Sequence, residues 1–466
     1  TITVTAVNDG IKGRDCIGIK DGVITVDAGG DGLQANNDAD ADQGYIDIQG
    51  GILDITAGTD GIQAETTLLV GAGDLTLSTG GGSVVSSSDA DGGWGDWGRD
   101  QQGGWPGSTT DTTDATTGGG TGAAADTTSA TAKGLKAGGA VFVEGGTIVI
   151  DSSDDSIHSN GAVRIDGGSM TLTSGDDGIH SDATLEINGG DVTITKSYEG
   201  IESAVITIND GSIHVVAADD GLNVAGGVDS SSINGRRGQG DFTVNENNKL
   251  YINGGYVAVD AAGDGIDCNG RMFMTAGTLL VNGPTNDGNG ALDYLGEFTV
   301  TGGYIVAAGS AGMAQAPSES STQYSLMVNF DTVQTAGTLV HIQDESGADI
   351  VTFAPTKEFR SFVVSSPDIK EGGTYIVYVG GSSAGTATDG LYPEGTYTPG
   401  EEYATLTVSG VVTTYGSFGG MMPGGRGGTL PDGGTMPGGG TRPGGRGDTA
   451  PGGSALDTTS TTAVTF

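Results

Sequence analysis

Residues 161–222 read GAVRIDGGSMTLTSGDDGIHSDATLEINGGDVTITKSYEGIESAVITINDGSIHVVAADDGL. This stretch contains one unit three times: a short alternating strand, a Gly-Gly or Asp-Gly turn, a second alternating strand, and an acidic turn ending in Gly and then Ile or Leu. The turn glycines Gly168, Gly190 and Gly211 are 22 and 21 residues apart. A fixed period in the twenties with short strands in each unit is typical of a β-solenoid.

The composition also favours a solenoid. The 466 residues include 90 glycines and only 35% hydrophobic residues, which does not suit the layered core of ordinary globular domains. A thin, repetitive core fits this composition. We therefore predict an all-β fold, a right-handed parallel β-helix with about 22 residues per rung and roughly ten rungs, each rung being one repeat.

The charge of the chain limits its partners. The formal net charge is -41, from 59 acidic and 18 basic residues. Repulsion opposes binding to nucleic acid or to anionic lipid, so neither is an expected partner, whereas cations are. No apolar run approaches the roughly 20 residues that a membrane-spanning helix needs, and we predict no membrane span.

The repeat defines the predicted domain organisation. It runs through residues 1–315, with polar insertions at 83–132 and 226–248. Residues 322–414 contain strands at the spacing of a small antiparallel sheet or sandwich, which we interpret as a C-terminal cap because the end of a solenoid exposes unpaired strand edges. Residues 415–466 form a Gly/Pro-rich tail that ends in a predicted strand.

Stacking the repeats places one acidic residue from each acidic turn in a single column. The members of this acidic column are Asp9, Asp31, Asp60, Asp155, Asp177, Glu199, Asp220 and Asp264, with Asp154, Asp176 and Asp219 in the column beside it. Adjacent repeats are roughly 4.8 Å apart, so bare carboxylates would repel one another. Twice a Ca²⁺–O distance of about 2.4 Å matches that spacing, which predicts calcium between stacked acids. The alternative is that Asp-Gly simply forms the turn.

A separate calcium candidate is the loop at residues 36–44. Asp38, Asp40 and Asp42 alternate there as in D-x-D-x-D calcium loops. The loop lacks the late Glu and the flanking helices of an EF-hand, so we predict a calcium site of another type. An ordinary acidic turn is the alternative.

We call the glycine that ends each acidic turn, such as Gly178 or Gly200, the marker glycine; one repeat has Ser156 in its place. A second column lies two positions after the marker residue and is expected to face outward. Its members are Lys12, Gln34, Gln63, Lys136, His158, His180, Glu202, Asn223 and Asp267. His158 and His180 would lie on successive repeats and could form a metal pair. Because the sequence shows no third soft ligand, a polar ladder is the favoured interpretation.

The two cysteines are not expected to pair within one chain. About eight repeats separate Cys16 from Cys268, or about 38 Å, whereas a disulfide needs Cα atoms within roughly 7 Å. Two buried free thiols are the prediction. Pairing between head-to-tail subunits is the alternative.

Several motifs resemble a known family. The segments DGIKGRDCIGIKDGVITVDAGGDGLQANNDADADQGYIDIQGG, GDDGIHSD, SYEGIES and AADDGLN are similar to the carbohydrate-binding-domain proteins of cellulose-degrading clostridia, over residues 1–415. The resemblance implies a parallel β-helix similar to that of pectate lyases, which binds calcium and acidic plant polysaccharides such as polygalacturonate. It implies calcium ligands in the 36–44 loop and in the DDG turns, and it places Tyr198 and Glu199 in a family motif.

The predicted function is therefore non-catalytic. We expect an extracellular or cell-surface protein whose calcium ions bridge protein carboxylates to an acidic plant or cell-wall polysaccharide. Trp94, Trp97, Trp105 and Tyr198 are the candidate sugar contacts.

Two alternatives are open. The first is a structural filament without a specific sugar, self-associated head-to-tail or through a donated C-terminal strand. The second is a calcium-dependent lyase, which would need a base near calcium, with Lys196 as the candidate and Arg164 as the nearest positive charge.

Overall fold

The computed structural model describes residues 1–83, 132–224 and 243–417. These residues contain β-strands and turns and no α-helix, and accordingly no helix that could span a membrane. The all-β prediction is confirmed. The predicted insertions and tail lie almost entirely outside the described residues, as do Trp94, Trp97 and Trp105.

Each described repeat contributes strands to three parallel ladders. The strands of the first ladder are β1 (Ile2–Ala6), β4 (Val23–Ala28), β7 (Ile52–Ala57), β10 (Asp74–Thr79), β13 (Thr147–Ser152), β16 (Ser169–Ser174), β18 (Asp191–Lys196), β20 (Ser212–Ala217), β23 (Tyr256–Ala261), β26 (Thr278–Asn282) and β29 (Tyr304–Gly309).

The second and third ladders share two long strands, β17 (Ile179–Ile187) and β19 (Ile201–Ile208), whose first halves belong to the second ladder and whose later halves belong to the third. The other strands of the second ladder are β2 (Ile11–Gly13), β5 (Leu33–Ala35), β8 (Ile62–Ala64), β11 (Leu135–Ala137), β14 (Ile157–Ser159), β21 (Leu222–Val224), β24 (Ile266–Cys268) and β27 (Asp293–Tyr294). The other strands of the third are β3 (Cys16–Ile19), β6 (Tyr45–Ile48), β9 (Thr67–Val70), β12 (Ala140–Val143), β15 (Ala162–Ile165), β22 (Lys249–Ile252), β25 (Arg271–Met274) and β28 (Phe298–Val300).

Alternation along the strands places the apolar side chains in one shared core. In β7, for example, Leu53, Ile55 and Ala57 are buried while the residues between them are exposed. Their partners in β4 and β10 are buried in the same register, so like residues stack from repeat to repeat. The apolar residues of all three ladders form a single buried cluster. The β-helix itself, its right-handed winding and the number of rungs stay predictions.

The turn between the third and first ladders depends on glycine. Gly168, Gly190 and Gly211 have φ values of 96°, 92° and 108°, a backbone region that residues with a Cβ rarely adopt. The repeated glycine in the sequence therefore marks a backbone conformation that recurs in each repeat.

The C-terminal strands continue the first ladder and cover part of it. The sheet is extended by β33 (Phe359–Ser365), β30 (Ser325–Gln334) and β38 (Val412–Tyr415). A four-stranded antiparallel sheet contains β32 (Asp349–Phe353), β31 (Val340–Asp344), β34 (Thr374–Val379) and β37 (Glu401–Thr407), and β35 (Ser382–Ser383) pairs with β36 (Tyr397–Thr398). The extended first sheet and the four-stranded antiparallel sheet enclose a second apolar cluster. This cluster also contains Leu280 and Val306 of the first ladder. The predicted boundary of this cap stays a prediction.

The prediction for the cysteines is wrong in one respect. Both thiols are free, and Cys268 is buried in the core, but Cys16 is exposed. Cys16 begins β3, in which Ile17 and Ile19 are the more buried residues, so alternation turns Cys16 outward.

The close packing around the marker glycine Gly200 predicts the effect of a substitution on stability. A Cβ on Gly200 would lie 2.2 Å from Val215 Cγ1 and 2.3 Å from the backbone oxygen of Gly221. Gly200→Ala should therefore lower the free energy of unfolding, measured by chemical denaturation, by about 1–3 kcal/mol. Gly18→Ala is the control, because its Cβ would meet nothing within 4 Å. Equal effects of the two substitutions would contradict this account of the marker glycine.

Candidate cation-binding column

Several carboxylates of the acidic column connect successive repeats through one of their oxygens. In each contact a backbone N–H of one repeat donates to the Oδ1 atom of an acid in the repeat before it. The distances are 3.2 Å from Asp31 to Asp9, 3.1 Å from Asp60 to Asp31, 3.1 Å from Asp177 to Asp155 and 2.6 Å from Asp264 to Asp220. These bonds give the acids a structural role between repeats.

In several repeats the other oxygen is held by the residue three positions later, which belongs to the second column. Lys12 Nζ is 2.9 Å from Asp9 Oδ2, and His158 Nδ1 is 2.8 Å from Asp155 Oδ2. The short strand that follows the marker glycine brings the two columns side by side. A donor in the second column can therefore neutralise the acid of its own repeat.

Lys133 occupies the acidic column between Asp60 and Asp155. Its backbone N–H donates to Asp60 Oδ1 at 2.9 Å, and its ammonium lies 2.5 Å from Asp155 Oδ2 and 3.2 Å from Asp154 Oδ2. Burial alone would lower the pKa of Lys133, but Asp155 and Asp154 outweigh burial and hold that pKa above its usual range. Sequence analysis missed this residue, although its Lys-Gly-Leu sequence is in register with the Asp-Gly-Ile turns.

His180 is a second basic residue buried beside the column. Burial opposes its protonation, but the Asp177 and Glu202 carboxylates raise the pKa of His180 to about 12. Lys136 adds a third cation, with its Nζ 2.8 Å from Asp60 Oδ2. Asp9, Asp60, Asp155 and Asp177 thus each have a basic partner. Asp31 instead accepts hydrogen bonds from the side chains of Gln34 and Thr59.

The column changes character from Glu199 onward. The residue three positions after Glu199 is Glu202, and the residue three positions after Asp264 is Asp267, so an acid replaces the donor. Burial, followed by repulsion from Glu202, raises the pKa of Glu199 well above its usual value. We call the segment from Glu199 to Asp267 the cation-poor end.

Three acids converge at the cation-poor end. Carboxylate oxygens of Asp220, Asp264 and Asp267 lie within 4.8 Å of one another. Burial and the neighbouring Asp219 and Asp264 raise the pKa of Asp220 well above its usual value. Neighbouring Asn223 is 4% exposed, and its Oδ1 has no hydrogen-bond partner in the described chain. These oxygens are the hard ligands that calcium prefers.

The remaining predicted ligands lie apart from this cluster. Asp38, Asp40 and Asp42 are exposed in the loop between β5 and β6, where Asp42 donates its backbone N–H to Asp40 Oδ1. Asp176 lies with Asp154 and Asp155 in a separate group whose carboxylate oxygens are within 4.8 Å of one another.

Tyr198, the predicted sugar contact among the described residues, is half-buried. Burial and the adjacent Asp219 carboxylate raise the pKa of its hydroxyl. The structure therefore places Tyr198 against an acid of the cation-poor end.

The expectation that the second column faces outward is wrong at its centre. Its pairing register follows the predicted order from Lys12 to Asp267. However, His158, His180, Glu202 and Asn223 are 6%, 1%, 2% and 4% exposed. His158, His180 and Asn223 lie against carboxylates of the acidic column, and Glu202 lies against His180. These contacts remove the side chains and their partners from water.

Comparison with known proteins gives one finding. A family model described as a carbohydrate-binding domain-containing protein matches residues 1–178. No curated protein and no solved structure matches the chain. The match supports a sugar-binding role, and it ends at the marker Gly178, before the cation-poor end.

The buried ion pairs of Lys133 predict a large effect on stability. Lys133→Met leaves the Asp154 and Asp155 carboxylates without their shared cation, and we expect the free energy of unfolding to fall by about 3–5 kcal/mol. Lys136→Met is the matched control, because that side chain is 26% exposed and water can partly replace it. Denaturant titration measures both. A loss no greater for Lys133→Met than for Lys136→Met would show that Lys133 does not stabilise the column.

Proposed function

We propose that this protein binds a polysaccharide without cleaving it and that calcium occupies the cation-poor end of the acidic column. The family match over residues 1–178 is the observation that carries the sugar-binding part. The calcium part rests on the charge distribution along the column. Most acids up to Asp177 have a basic partner, whereas Glu202 and Asp267 are acids at the corresponding positions afterwards.

The cation-poor end has the chemistry of a calcium site. Asp220, Asp264 and Asp267 supply oxygens close enough to share one ion, and Asn223 adds an amide oxygen without a hydrogen-bond partner among the described residues. Calcium accepts six to eight oxygen ligands in flexible geometry, so water or a sugar can complete the shell. Burial and then repulsion from Asp219 and Asp264 raise the pKa of Asp220, and a divalent ion would offset both.

An acidic polysaccharide fits this site better than a neutral one. Asp219 and Asp267 are half-buried, so the edge of the cluster reaches the surface. A calcium ion there could coordinate a uronate carboxylate as well as the protein. Without calcium, a chain with a net charge of -41 would repel such a polymer.

The contacts of the proposed lyase residues favour binding over cleavage. Lys196 donates from Nζ to the backbone oxygen of Ser83, and Arg164 lies 2.8 Å from Asp166. Both cations are therefore engaged with groups outside the cation-poor end. An extracellular or cell-surface location and self-association into filaments belong to the same proposal, and electron microscopy of the native protein would test the filament.

Calcium removal gives the first test. One site at 100 times its Kd contributes about 2.7 kcal/mol of stability, so calcium should raise the Tm and EDTA should lower it. Asp264→Asn should abolish most of this calcium-dependent shift. Asp60→Asn should keep the shift, because Asp60 lies in the same column but is paired with Lys136. A Tm of the native protein that is independent of calcium would remove the calcium proposal.

Sugar binding gives the second test. The full chain should bind polygalacturonate in calorimetry with calcium present, and Asp264→Asn or EDTA should lower that affinity at least about tenfold. Neutral polysaccharide and calcium-free buffer are the controls. Calcium-independent binding of a neutral polymer would keep the sugar-binding role and exclude the bridge. Binding of no polysaccharide would favour a structural filament, and release of unsaturated uronate would show a lyase.

A further inference from the structure

We propose that His180, Asp177 and Glu202 form a binding site for a zinc-type divalent transition metal, separate from the calcium site. Asp177 and His180 belong to one repeat and Glu202 to the next, in β19. The site therefore joins two repeats, as the Oδ1 bonds do elsewhere in the column. This inference is independent of the proposed sugar binding.

The geometry suits one small ion. His180 Nδ1 lies 2.9 Å from Asp177 Oδ2 and 3.0 Å from Glu202 Oε2, and the three donor atoms are within 4.8 Å of one another. A tetrahedral ion with bonds of about 2.0–2.1 Å spaces its ligand atoms about 3.3 Å apart. Shifts of a few tenths of an ångström would admit it between these atoms.

The polar atoms of the site are incompletely satisfied without an ion. The hydrogen bond of His180 Nδ1 goes to Asp177 Oδ2. Glu202 Oε2 and Asp177 Oδ1 then have no hydrogen-bond partner among the described residues, although the two residues are only 2% and 4% exposed. A buried carboxylate oxygen without a partner is costly. One ion in place of the single Nδ1 proton would bind all three side chains.

The neighbours of His180 hold the ring in a ligating orientation. Its other nitrogen, Nε2, lies 3.1 Å from Asp182 Oδ1. Such a carboxylate fixes the tautomer of metal-binding histidines and directs the opposite nitrogen to the ion. His158 stacks on the ring with centroids 4.9 Å apart and planes 16° apart. The imidazole nitrogen distinguishes this site from the all-oxygen cluster at Asp264, since zinc accepts nitrogen ligands and calcium prefers oxygen.

The test uses the full chain, stripped of metal with a chelator and titrated with Co²⁺ alone. We expect visible absorption bands from protein-bound Co²⁺, their displacement by Zn²⁺, and their persistence in excess Ca²⁺. His180→Gln and Glu202→Gln should each abolish the bands. Asp182→Asn should weaken Co²⁺ binding about 10–100-fold, because the ligand loses its orienting partner.

His214→Gln is the matched control. His214 is a half-buried histidine on β20 that pairs with Asp389, and its loss should leave the Co²⁺ bands unchanged. Thermal melts identify which variants are folded, and the Glu202→Gln and Asp182→Asn results decide the question if His180→Gln does not fold. No Co²⁺ binding by the folded native chain would overturn the proposal. Unchanged bands in the folded variants, or displacement by Ca²⁺, would also overturn it.

Discussion

The constraint on which this structure depends is the close stacking of buried acids at a fixed repeat spacing. In several repeats a backbone N–H donates to a carboxylate of the repeat before it, as that of Asp177 does to Asp155. The acids therefore cannot be removed without losing inter-repeat bonds. They also cannot remain bare, because each lies within a few ångströms of the next in a poorly solvated environment. Many of the side chains beside the acids accordingly carry basic groups.

The chain supplies that charge in different ways along its length. Near the N-terminus an exposed side chain such as Lys12 is sufficient, since Asp9 is itself partly solvated. In the middle of the column the cations are buried: Lys133 replaces an acid, and His180 lies between two carboxylates. At the cation-poor end no described side chain supplies positive charge to Asp220. Burial and the neighbouring acids raise the pKa of its carboxyl. The charge distribution alone thus locates where an external ion has most to contribute.

Much of the fold could be predicted from the sequence because the period is carried by glycine. Gly190 is needed for its positive φ, and Gly200 is needed for the close approach of the next repeat. Substitution by a residue with a Cβ would therefore be unfavourable at either position. The same regularity places the acids in register. The exposure of Cys16 follows from the same alternation that turns Ile17 and Ile19 inward in β3, and the prediction of a buried thiol did not apply it. The sharing of one sheet between the repeats and the C-terminal strands was missed because pairing between distant strands leaves no local pattern.

The candidate sites were harder to predict because their chemistry arises between repeats. Glu202 reads as one more polar residue in its own repeat, and only the parallel register with His180 turns it into a neighbour of a buried imidazole. The same register supplies the third ligand that the histidines lack in sequence. In the proposed site a proton and a metal ion would compete for the same nitrogen, since the same surrounding acids favour both. The pair of repeats that holds His180 is therefore the point at which basic side chains beside the acids give way to the acids for which we propose ions from solution.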